Sequence, residues 1–272
     1  SKHILMKSLL LTGLLFILIL PGCRKETSIL PLLQSVEKLI PMYADSASVL
    51  LDSIQAPDEL TDKDFAHWCM LCGKVTDEAA TGLLPIYQWQ RAQQWFTEHG
   101  TAEEQAQIDL YLGRAYVEDG EYDKAMQIYA DALQLAKEHQ AYNVAGYICA
   151  YMADLYGFRD ITSECLKKRE EACEFFKKAE NYKSYAYSLK DLAGEWAILD
   201  SFACTIPLLQ KADSISQLLH NKNLTAAIAN AFALIYEMQG KYNEAETAYL
   251  KAISTRSEES YKDSIGLLKV YI

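Results

Sequence analysis

Apolar residues recur three and four positions apart along most of this chain, the spacing of one face of an α-helix. The small residues among them keep a longer register. Gly73, Gly113, Ala153, Ala193 and Ala233 stand 40 residues apart, and nineteen residues after each comes an alanine: Ala92, Ala132, Ala172, Ala212 and Ala252. Tyr116, Tyr156, Trp196 and Tyr236 lie three residues after the last four small positions. Each unit therefore reads as two helices, such as residues 108–117 and 122–136, joined by a turn at Asp119-Gly120. Gly120 and Gly240 supply the left-handed backbone that such a turn needs, with Asp160 and Asp200 at the corresponding places. Small residues on both helices let the backbones approach, and the aromatics fill the space beside that contact. One pair cannot bury its own apolar face, so successive pairs must stack.

Ahead of the array, Leu30 to Ile54 carries the same helical spacing, with Pro41 dividing it into two helices. Gln55 to Thr61 is a polar turn, and Thr61 or Asp62 is placed to cap the helix that follows.

Leu112-Gly113-x-x-Tyr116, followed by Ala125-x-x-x-Tyr129 and Ala132, resembles the tetratricopeptide repeat. Phe232-Ala233-x-x-Tyr236, Gly240, Tyr242, Ala245, Tyr249 and Ala252 form a second good copy. The units at Ala153 and Ala193 are degenerate, with Cys165 and Thr205 where alanine is expected, and the unit at Gly73 keeps little beyond Gly73 and Ala92. Asp109 stands at the place of the family's early tryptophan, and the closing proline is absent. A period of 40 rather than about 34 calls for helices longer by about a turn, or for longer loops. The resemblance covers about residues 62–257 and implies an all-α, right-handed solenoid of antiparallel helix pairs over residues 62–272. Ser264 to Ile272 reads as an incomplete further helix.

The N-terminal stretch follows different rules. Met6-Lys7 is a basic start, Ser8 to Leu20 is almost wholly apolar, and Leu20-Pro21-Gly22-Cys23 closes it. The apolar run falls short of the roughly 20 residues a spanning helix needs, and its layout is that of an export signal. Ser1 to Leu5 precede Met6 and read as lying upstream of the initiator. The closing tetrapeptide resembles the lipobox of bacterial lipoproteins, although Pro21 is an uncommon choice there. That resemblance implies acylation of Cys23, and acyl chains hold a protein at a membrane. The expected organisation is a signal over 1–23, a tether and N-terminal helical pair over 24–61, and the repeat array over 62–272. The expected address is an exported position, lipid-anchored to a bacterial membrane.

Composition narrows the partners. The net charge is −11, and leaving out residues 1–23, whose charges are Lys2 and Lys7, makes it −13. Such a surface repels phosphate backbones, so nucleic-acid binding is not expected. Cys69-x-x-Cys72 with His67 has the outline of a redox or metal site, but no second ligand pair follows, and the motif falls on a repeat helix where packing is the expected role. Cys165 and Cys173 are eight apart on one predicted helix and cannot bridge each other, and Cys149 and Cys204 also fall on predicted helices. The five histidines are scattered, and neither a phosphate-binding loop nor a nucleophile elbow occurs. The run Lys167 to Glu171 reads as a solvated helix face. Neither catalysis nor a cofactor or metal is expected.

The resemblance implies a concave groove, lined by the first helix of each pair, that holds a protein or peptide segment. By helical phase, the residues facing it are Lys74, Arg114, Tyr147, Asp154, Phe158, Tyr187, Lys190, Asn230 and Glu237. Three cations and three aromatics among them suggest a partner with acidic or aromatic character. Two other functions fit the same pattern: the extracytoplasmic sensory half of a larger membrane-bound signalling or transcription regulator, and a glycan-binding surface lipoprotein using Tyr147 and Tyr187 as platforms.

Overall fold

The computed structural model describes residues 28–79 and 81–255. The expected export signal with Cys23, most of the expected tether, and the segment 264–272 lie outside the described residues. The described chain is all-α: eleven helices and one 3-10 turn at Pro57–Glu59, with no strand among the described residues. The helices are α1 Leu30–Asp52, α2 Asp62–Ala79, α3 Ile86–His99, α4 Ala102–Glu118, α5 Tyr122–Glu138, α6 Tyr142–Phe158, α7 Thr162–Lys178, α8 Tyr182–Ile198, α9 Phe202–Leu218, α10 Lys222–Met238 and α11 Tyr242–Thr255. None is long and apolar enough to cross a membrane.

The proline acts as expected, two residues late. α1 is continuous in outline but kinked at Tyr43, whose φ of −140° and ψ of 55° are not helical. Thr61 caps α2 by accepting a hydrogen bond from the Asp64 amide at 3.2 Å. α4 begins with a full capping box, in which Thr101 and Glu104 satisfy each other's backbone N–H groups.

The long period comes from the helices, not the loops. Each helix from α4 to α10 has 17 residues. The turns are three residues long, and each has one residue at positive φ: Gly120, Gln140, Asp160, Glu180, Asp200, His220 and Gly240, spaced by 20. At every one the helix closes in the same way. The amide after the left-handed residue donates to a carbonyl five residues back, as in Glu121 to Tyr116, Ile161 to Tyr156 and Ser201 to Trp196. The turn geometry therefore repeats at twice the frequency of the side-chain pattern, and five of its seven left-handed residues are not glycine.

The small positions are buried as the register requires, with Ala132, Ala153, Ala193, Ala212 and Ala233 fully enclosed. The glycines accommodate rings more than backbones. A β-carbon at Gly73 would overlap the Tyr111 ring, one at Gly113 would overlap Tyr129, and one at Gly146 would lie 2.8 Å from Phe176. In the degenerate units Cys165 and Thr205 are buried in place of alanine, and the Thr205 hydroxyl is satisfied by donating to the Ser201 carbonyl at 3.1 Å. Cys69 is buried and Cys72 half-buried, neither in a disulfide. Burial pushes the Cys72 thiol up to about 12. No group of three or more His, Cys, Asp or Glu residues among the described residues is arranged to hold a metal ion.

Candidate functional site

The first helices of successive pairs are α2, α4, α6, α8 and α10. α4 packs on α6 and α8 on α10, while α6 and α8 meet less closely, and two side chains of the second helix between them, Arg169 and Phe176 of α7, border the space there. There a cavity of about 640 Å³ opens, with walls from α2, α4, α6, α7 and α8.

Its electrostatics are set by ion pairs within and between units. Arg114 on α4 pairs with Asp77 on α2, and the Tyr111 hydroxyl donates to the same carboxylate at 2.8 Å. The Arg114 guanidinium also lies 4.9 Å from the centre of the Tyr151 ring. Arg169 reaches Asp154 at 2.7 Å and Glu195 at 3.5 Å. Burial raises the carboxyls of Asp77 and Asp154 above the usual range, and their arginine partners oppose that rise. The Tyr147 hydroxyl lies 2.8 Å from the Ser184 hydroxyl, and its ring stands edge-on to Phe176 at 4.8 Å. Across the mouth, Lys183 of α8 donates to Glu78 of α2 at 2.9 Å, a bridge over 105 positions of chain. Two buried polar atoms here have no partner: the Nε of Arg169, which lines the cavity, and, behind the lining, the hydroxyl of Tyr129, whose ring lies alongside Tyr151 at 6.3 Å.

Four of the residues expected to face the groove, Arg114, Tyr147, Asp154 and Tyr187, meet in this cavity. Lys190 lines an adjoining cavity of about 330 Å³ between α8 and α10. Lys74 is elsewhere, in a cavity of about 470 Å³ near α1, bound to Glu37 at 2.7 Å. Phe158 is 75% exposed at the end of α6, and neither it nor Asn230 nor Glu237 lines any of these three cavities. Glu237 accepts instead from the Tyr249 hydroxyl of its own pair at 3.0 Å.

Two expectations are corrected. The three cations offered to an acidic partner are each already paired: Lys74 with Glu37, Arg114 with Asp77 and Lys190 with Asp191. The run Lys167 to Glu171 is not simply solvated, because Arg169 is only 12% exposed at its side chain and forms part of the cavity. Arg169 was hidden by its setting, a second-helix position inside a charged run. The one trace it leaves in the sequence is its place in the unit whose first helix carries Asp154.

Comparison with known proteins agrees with this geometry. Two stretches match family models of the tetratricopeptide repeat, residues 112–140 and residues 225–259. These are the two units whose residues carry the repeat pattern best, and the matches support a tetratricopeptide-repeat protein. No curated protein matches the chain by sequence. Among solved structures, BtubC (BKLC) from P. vanneervenii superimposes with a TM-score of 0.58 at 16% identity, over 85% of this chain and 92% of its own. A Rap protein complexed with Competence and Sporulation Factor gives 0.59 at 16% identity, over 86% and 67%. TPR-like repeats of a Podosopora anserina kinesin light chain give 0.52 at 15% identity, over 74% and 97%. At these identities the likeness establishes the fold, a solenoid of tetratricopeptide type.

Proposed function

We propose that this protein is a non-enzymatic scaffold that binds a protein or peptide segment in its concave groove, and that Cys23 tethers it through acyl chains to a bacterial membrane on the exported side. The observation that carries the binding proposal is the cavity between α2 and α8, lined by aromatic side chains and by ion pairs within and between units. Its size suits a few side chains of an extended segment. The neighbouring fold of a Rap protein complexed with Competence and Sporulation Factor supports the use of such a groove for a ligand. Tyr147 offers little as a sugar platform, because its ring packs against Phe176 and its hydroxyl is engaged by Ser184.

A photo-crosslinking residue at Tyr187 in the full chain tests the groove, with one at Tyr242, 71% exposed on a second helix, as the control. Discrete products from Tyr187 and none from Tyr242 are expected, and equal labelling from both positions would remove the groove. For the anchor, Cys23→Ser is expected to shift the protein from the membrane fraction to the soluble one, and unchanged membrane retention would contradict acylation.

A further inference from the structure

Five glycines lie inside described helices; a β-carbon would crowd Tyr111 at Gly73, Tyr129 at Gly113 and Phe176 at Gly146, while at Gly157, at the end of its helix, it would meet only the Cys165 sulfur at an ordinary 3.8 Å. Gly194, in the middle of α8, meets nothing within 4 Å. A mid-helix glycine weakens the helix relative to alanine, and packing does not account for this one. What Gly194 does is line the cavity between α8 and α10, leaving bare backbone at its wall. Beside it stand Ile198, Leu234 and Met238, large apolar side chains that are 70%, 44% and 51% exposed.

This apolar cavity and the aromatic one share a wall, Arg169 and Asp191. At that wall the ion pairs are layered. Arg169 is 12% exposed beneath Asp154 at 43%, and Asp191 at 37% is paired with Lys190 at 25%; with Glu195 the wall sets three carboxylates against two cations and keeps a net negative charge.

We propose that this part of the groove takes an extended peptide segment bearing a lysine or arginine next to an aliphatic residue. The basic side chain sits on Asp154 and Asp191, the aliphatic one packs on Ile198, Leu234 and Met238, and the segment's backbone passes over Gly194. Close passage of a backbone is what an absent β-carbon permits, and the charge of the wall selects the sign of the partner. This rests on the peptide-binding reading above and specifies it.

The test is selection of a phage-displayed random heptapeptide library on the full chain, followed by affinity measurement of the selected peptides. Enrichment of Lys or Arg adjacent to Leu, Ile, Val or Met is expected. Gly194→Trp, which fills the cavity, should weaken the selected peptides more than tenfold. Gly194→Ala should weaken the selected peptides severalfold, because its β-carbon stands where their backbone passes, while an undiminished thermal midpoint shows that the fold is intact, since that β-carbon meets nothing within the chain. Asp191→Asn should weaken binding severalfold and lessen its dependence on salt. Peptides enriched in Asp or Glu, or binding that Gly194→Trp leaves unchanged, would overturn this assignment while leaving a peptide groove in place. No enrichment of any peptide would overturn both.

Discussion

The missing side chain of Gly113 on α4 is replaced by the ring of Tyr129 on α5, which occupies the space a β-carbon would need. Tyr129 is wholly buried, so it cannot swing aside into solvent. Gly113→Ala is therefore expected to lower stability by about 1–3 kcal/mol through overpacking, read as a fall in thermal midpoint by circular dichroism. Gly194→Ala should do the opposite, raising stability by up to about 1 kcal/mol, because a helical glycine is replaced without a clash. If both substitutions destabilised to a similar degree, the contrast between a packed and an open glycine would be refuted.

The turns invite a second comparison. His220 and Glu180 hold φ at 50° and 55°, where a β-carbon is strained. His220→Gly and Glu180→Gly should each stabilise by up to about 1 kcal/mol, and Gly120→Ala should destabilise by about the same amount. Chemical denaturation of the three variants checks this, and an unchanged midpoint for all three would mean that the left-handed residues carry no strain.

Asp109 gives the stability a pH dependence. Burial raises its carboxyl to about 6 from the ordinary 3.8, although Gln93 donates to it at 2.7 Å and opposes the rise. Between about pH 4 and pH 6 the folded chain holds a proton that the unfolded chain has released, so this contribution falls as pH rises through that window and stays low above it. Asp109→Asn keeps an oxygen for Gln93 and removes the titration. The expected gain at pH 7 is on the order of 1–3 kcal/mol, vanishing below about pH 4. Denaturation midpoints of both forms at pH 4 and pH 7 decide it, and an equal difference at the two values would sink the attribution.

Thiol chemistry should separate the cysteines. Cys204 is exposed, whereas Cys149 and Cys173 are buried, with thiols pushed up to about 12 by that burial. Iodoacetamide at pH 8, followed by peptide mapping, should modify Cys204 readily and leave Cys149 and Cys173 protected until denaturant is added. Early labelling of Cys149 would show that α6 and α7 separate in the folded state.

The solenoid was readable because its determinants repeat: Gly113 and Ala132 mean little alone, but their recurrence at Ala153, Ala172 and onward does. The half-period of the turns was less legible, since Gln140, Glu180 and His220 take the left-handed conformation without the residue type that advertises it. Within the groove, helical phase placed Arg114, Tyr147, Asp154 and Tyr187 together, all on first helices near the middle of the array. It could not place Arg169, because its access depends on how far apart α6 and α8 stand, a property of inter-unit angles. Nor does phase show that Arg114 and Lys190 are already neutralised, since their partners come from position 77 and from the neighbouring residue 191.

The Lys183–Glu78 bridge changes the mechanics of the array. A solenoid in which each unit touches only the next is an open arm, and every joint bends independently. This bridge joins the first unit to the fourth, so α2 to α8 form a closed linkage in which the bends at successive joints must sum to a fixed arc. Widening any one joint then requires compensation at the others or rupture of the bridge. Both ends of the bridge are nearly half exposed, at 46% and 41%, so it contributes no more than about 1 kcal/mol. It is thus a weak clasp, and the first contact to part when the arc from α2 to α8 widens.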